Sequence, residues 1–80
     1  MATQTQPRYA AEGLIVSNPG ILGGHPVFSG THVSVETLFD YLADGLSLEY
    51  FLESFPSVTK EQAVRVLQHG RHVIERELTE

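Results

Sequence analysis

Asn18-Pro19-Gly20-Ile21-Leu22-Gly23-Gly24-His25-Pro26-Val27-Phe28-Ser29-Gly30-Thr31-His32-Val33-Ser34-Val35 is the stretch whose reading decides the fold. Glycine reaches backbone conformations that strain other residues. Proline fixes φ and lacks an N–H donor, so neither Pro19 nor Pro26 belongs inside a helix or a central strand. Pro26-Val27-Phe28 and Thr31-His32-Val33 read as two short extended pieces, with the turn-forming pair Ser29-Gly30 between them as in a tight hairpin. Ser34 is then placed to cap a helix that starts at Val35. Upstream, Leu14-Ile15-Val16 is an apolar, β-prone run that ends in the turn Asn18-Pro19-Gly20. Residues 1–13 are polar and read as a flexible tail.

Downstream everything reads helical. Val35, Leu38, Phe39 and Leu42 recur at helical spacing over about 35–44, with Glu36 near the positive end and Gly45 just past the last turn. Leu48, Phe51, Leu52 and Phe55 repeat that spacing over about 48–54, behind Ser47 as cap and ahead of the stop at Pro56. Thr59 with Gln62 forms a capping box that opens a third helix over about 60–78. The expectation is a mainly α domain, residues 14–80: a short N-terminal β-hairpin (strands within 14–34), then three helices in a homeodomain-like, helix-turn-helix-like core. Its expected core is Leu38, Phe39, Leu42, Leu46, Phe51, Leu52, Phe55, Val58, Ala63, Val66, Leu67 and Ile74. A three-helix bundle with no nucleic-acid role satisfies the same pattern.

Eighty residues support one small domain with a marginal core, so self-association or a bound partner is expected. The absence of cysteine removes disulfides, thiol nucleophiles and cysteine zinc sites, and fits a cytoplasmic protein. No apolar run is long enough to cross a membrane, and the N-terminus lacks a signal-peptide core. The formal net charge of −5 argues against broad affinity for nucleic acid. It suits a partner with a basic surface; the alternative is that acidic helices simply keep a small protein in solution.

The sharpest polar feature lies on the third helix. Arg65, His69, His72 and Arg76 fall at i, i+4, i+7 and i+11, one stripe at about 100° per residue. With Lys60 in the first turn they are the candidate nucleic-acid contacts. The competing reading is a solvated face whose cations pair with Glu61 and Glu75. His69 and His72, even with His25 and His32, lack a carboxylate or cysteine at metal-ligand spacing. Ser29, Ser34, Ser47, Ser57 and Thr59 are all explained as turn or cap residues. No nucleophile elbow or phosphate loop is present. No enzyme activity, metal or cofactor is therefore expected.

Gly23-Gly24-His25-Pro26-Val27-Phe28-Ser29-Gly30-Thr31-His32-Val33-Ser34-Val35, followed in order by Leu42-Ala43-Asp44-Gly45-Leu46-Ser47 and Phe55-Pro56-Ser57-Val58-Thr59, resembles the signature of the domain-of-unknown-function 433 family. The resemblance spans about Leu14 to Arg71. It implies a small prokaryotic helix-turn-helix-like domain of the kind described as VapB-like antitoxins, which stand beside PIN-like ribonuclease toxins. The chain departs from that pattern at His25 and His32, where the family carries a basic residue before the proline and an arginine after Gly-Thr. Anion contacts made there by other members would depend on histidine charge in this chain.

The leading functional expectation is therefore an antitoxin that binds a PIN-like toxin, with operator DNA as a further partner. A DNA-binding regulator without a toxin and a protein-only adaptor are the other readings. Because a lone hairpin is marginal in water, Leu14, Ile15, Val16, Val27 and Phe28 are expected to pair across a two-fold axis and form a homodimer.

Overall fold

Arg8–Ala10 (β1), Ile15–Ser17 (β2) and Val27–Phe28 (β3) form an antiparallel sheet in the order β1-β2-β3. Tyr9 lies opposite Val16, Val16 opposite Val27, and Ile15 opposite Phe28. The structure is a computed structural model that describes residues 6–79. The expectation of a flexible tail over 1–13 is therefore corrected from Arg8 onward, while its first five residues lie outside the described residues. Three exposed residues carry no legible period, and β1 is held by pairing to β2 rather than by local propensity.

The turn from β1 to β2 is tight. Ala11 and Glu12 both take left-handed φ, 53° and 57°, and Gly13 follows at 89°. Such φ values disfavour residues with a Cβ. Ala11 is nevertheless nearly buried, and the turn is tied to the next loop where the Ser29 hydroxyl donates to the Gly13 carbonyl.

After β3 the chain reverses as anticipated at Ser29-Gly30, but Thr31-His32-Val33 does not become a strand. The Phe28 N–H donates to the Val33 carbonyl at 3.0 Å, and one bridge joins Val27 to Ser34. Thr31 is buried and braces the loop. Its hydroxyl donates to the Phe28 carbonyl at 2.8 Å and accepts from the Val33 N–H at 3.0 Å. That side chain takes over bonds a longer strand pair would have made.

Helices α1 (Val35–Ala43), α2 (Leu48–Ser54) and α3 (Lys60–Thr79) follow. The anticipated caps are in place: Ser34 accepts from the Thr37 N–H at 3.2 Å and Ser47 from the Tyr50 N–H at 3.0 Å. Thr59 and Gln62 bond reciprocally, at 3.1 and 2.9 Å. Gly45, with φ at 87°, closes α1, as its N–H donates to Leu42 and the next N–H, of Leu46, to Tyr41. This is the double bond pattern that satisfies the last carbonyls of a helix.

The core joins sheet to helices. Phe28, Leu38, Phe51, Val58, Ala63 and Val66 form one buried cluster. The rings of Phe28 and Phe51 are 6.2 Å apart, and Phe51 packs on Tyr41 and Phe55 at 5.6 and 5.1 Å. The helices do not close without the strands: Phe28 sits in the shared cluster with no exposed surface. Three expected core residues lie outside. Phe39 and Leu46 are 43% and 41% exposed, because α1 turns Leu38 and Tyr41 inward instead. Ile74 is 59% exposed. At about 1.5 Å per residue α3 is about 30 Å long, more than twice α1 or α2, so its far end extends past anything that could cover it.

Candidate functional site

The strained β1–β2 turn and one face of α3 enclose an open basin of about 370 Å³, lined by Ala11, Glu12, Leu14, Arg65, Gln68, His69 and His72. Three of the five expected nucleic-acid contacts thus meet in one place. The other two do not: Lys60 sits exposed in the first turn, on a different side of the helix, and Arg76 lies beyond the basin. His25 and His32 are exposed on the loops flanking β3 and do not line it. Among the described residues no group of three His, Asp or Glu side chains could hold a metal ion.

Arg65 is already engaged. Its Nη2 donates to Glu12 Oε1 at 3.1 Å, and its Nη1 lies 4.0 Å from Glu61 Oε2. Both carboxylates are exposed and the bridges are of the weak surface kind, but they neutralise the cation that would lead any contact with phosphate. The basin therefore presents a compensated face with two histidines, not a cationic groove.

The expected dimer strip is also redistributed. Val27 and Phe28 are fully covered and Val16 nearly so, all within their own chain. Phe28 spends its apolar surface on the helices, and Val16 and Val27, paired with each other, are covered as well, so the expectation that they face a second copy is corrected. Leu14 and Ile15 remain half-buried against the same core.

The uncompensated charge lies elsewhere. Between Val33 and Thr59 there are five carboxylates, Glu36, Asp40, Asp44, Glu49 and Glu53, and no lysine or arginine. All five are exposed, and among the described residues none is ion-paired. Glu36, Asp40 and Asp44 follow at four-residue steps along α1 and its end, and Glu49 and Glu53 do so on α2. Like charges at that spacing repel by about 0.2–0.5 kcal/mol per pair. Phe39, Leu46 and Tyr50, all more than 40% exposed, sit on the same two helices and their connection. Apolar side chains set in uniform negative charge make a surface for a protein with a basic, partly apolar face. Sequence reasoning found the net charge but not its location. The signal was the 51-residue run from Tyr9 to Thr59 without a lysine or arginine, in which five of the six carboxylates fall after Val33.

The chain matches the family described as Protein of unknown function (DUF433) over residues 15–69. It is similar to the uncharacterized protein y4eO of Sinorhizobium fredii (strain NBRC 101917 / NGR234), with 43% identity over 53 residues. That match covers 66% of this chain and 24% of the relative, so the chain spans about a quarter of the protein it resembles. No solved structure matches it significantly. The matched segment runs from the start of β2 to His69 in α3 and takes in the acidic α1–α2 surface, and the chain belongs to the DUF433 family.

Proposed function

We propose that this domain is an antitoxin-like protein ligand: its α1–α2 face occupies the basic RNA-binding surface of a PIN-like ribonuclease toxin. The observation that carries the reading is the segregation of charge. Five exposed carboxylates with no cation among them share α1, α2 and their connection with the exposed Phe39, Leu46 and Tyr50. Such a face competes with RNA phosphates for the same arginines and lysines, and its apolar side chains add contact area that RNA does not supply. Solvation alone needs charge but not one sign on two adjacent helices, and interspersed signs would serve it with less repulsion.

Operator binding is the second reading, with the three helices acting as a homeodomain-like unit and α3 as its reading helix. The observation in its favour is the gathering of Arg65, His69 and His72 on one face. It is the weaker reading because Glu12 and Glu61 hold Arg65, and recognition helices read bases from their first turns, where Lys60 stands beside Glu61.

Cleavage of a fluorescent RNA by the product of the adjacent reading frame, which this reading takes to be a PIN-like ribonuclease, tests the first reading. Stoichiometric chain should suppress cleavage, and Asp40→Lys with Glu49→Lys should release it. Undiminished cleavage in the presence of excess native chain contradicts the proposal.

A further inference from the structure

The C-terminal half of α3 leaves the body of the domain. From Arg71 to Leu78 every side chain is exposed, and three are apolar: Val73, Ile74 and Leu78. A helix of two or three turns has little stability of its own in water and depends on covering an apolar face. Val66, Gly70, Ile74 and Leu78 are spaced four apart and form one ridge. Val66 lies in the core, so the ridge begins as buried surface and continues uncovered.

Charge and shape identify what fits it. In contrast to the acidic α1–α2 face, residues 70–78 carry Arg71 and Arg76 against Glu75 and Glu77, an even balance. A basic partner finds no attraction there, whereas a surface with both signs in alternation complements itself. Gly70 leaves a gap in the ridge. A Cβ placed on it would have the Phe39 ring as its nearest wall, 3.8 Å away. Phe39 is itself substantially exposed.

We infer that α3 pairs antiparallel with α3 of a second copy of this chain, across a two-fold axis at Ile74. Ile74 then meets Ile74 of the copy, and each Leu78 enters the gap at Gly70 and rests on Phe39 of the other chain. A two-fold axis sets like flanks together. Arg71 therefore exchanges its own Glu75, 3.8 Å away in the single chain, for Glu75 of the copy. Four-spaced ridges interdigitate at a crossing angle of about −50°, which confines contact to the few turns around Ile74. That is the exposed length. The seam is short, so the association belongs in the micromolar range. This pairing does not rest on the toxin reading: of its residues only Phe39 belongs also to the α1–α2 face, and the Ile74, Leu78 and Arg71 variants leave that face untouched.

Sedimentation velocity on the full chain at high micromolar concentration tests it. The expected mass approaches twice 8.8 kDa. Ile74→Asp should return the mass to one chain and raise the dissociation constant about a hundredfold, since it forces a carboxylate into an apolar seam. Leu78→Asp, in the last turn and clear of the core, should act in the same direction while leaving the circular dichroism melt of the body intact. Arg71→Glu should weaken the dimer, and adding Glu75→Arg should restore it. A single-chain mass for the unaltered protein overturns the inference. So does a dimer indifferent to both Ile74→Asp and Leu78→Asp, which would place the contact on another surface.

Discussion

Phe28 is the side chain through which the sheet and the helices become one core. It is fully buried, packs on Phe51 and stands opposite Ile15. Phe28→Ala should cost about 3–5 kcal/mol, the range for emptying a buried aromatic site. That is comparable to the whole stability of a domain this small. Phe39→Ala, at a site with 43% exposure, should cost about 1 kcal/mol or less in the single chain. Urea denaturation of the two variants checks this, and equal losses would contradict the placement of Phe28 at the centre. Arg65→Ala should cost under about 1 kcal/mol, because both of its bridges are exposed.

At the scale of elements, the caps do what short helices require. Ser34→Ala should remove about 1 kcal/mol, since it takes the side-chain acceptor from the Thr37 N–H at the start of α1 and leaves it only the Ser34 carbonyl. Gly45→Ala should cost about 1–2 kcal/mol. No atom lies within 4 Å of the added Cβ, so that cost reports the left-handed φ alone. Denaturant midpoints measure both, and an unchanged midpoint for Gly45→Ala would show that the turn can relax. These elements were the legible part of the sequence, because caps, stops and 3.6-residue periods are local signals. What was not legible depended on contacts distant in sequence. The three residues of β1 have no period, and Arg8–Ala10 become a strand only because Ile15–Ser17 lies beside them. Phe39 and Tyr41 compete for the inward side of α1, and the aromatic cluster of Phe51 and Phe55 decides for Tyr41. The apolar ridge on α3 was legible as far as Ile74, but a periodic pattern says nothing of where the neighbouring elements end. The basin was half legible: the Arg65–His69–His72 stripe follows from spacing, whereas its neutralisation by Glu12 arrives through the strained turn at Ala11–Glu12.

For the whole molecule, charge organises the account. The net −5 divides into a balanced α3 and an unbalanced α1–α2 pair. Carboxylates spaced four apart on α1 and α2 repel within each helix, so the isolated domain is held together against its own field. Raising ionic strength from low to physiological should therefore raise its melting temperature, by screening that repulsion. Neutralising Asp44→Asn, at the negative end of α1 and four residues from Asp40, should add a few tenths of a kcal/mol in low salt. Retention of a destabilising like-charge surface is what a binding role would explain, because a basic partner turns the same repulsion into attraction. Calorimetric titration of the product of the adjacent reading frame, which the proposed function takes to be a PIN-like ribonuclease, with this chain tests that claim most directly. The account predicts saturable binding that weakens steadily as salt is raised, and a loss of about tenfold or more when Asp40→Asn, Glu49→Gln and Glu53→Gln are combined. Absence of binding, or binding unchanged by both salt and the three substitutions, would contradict it.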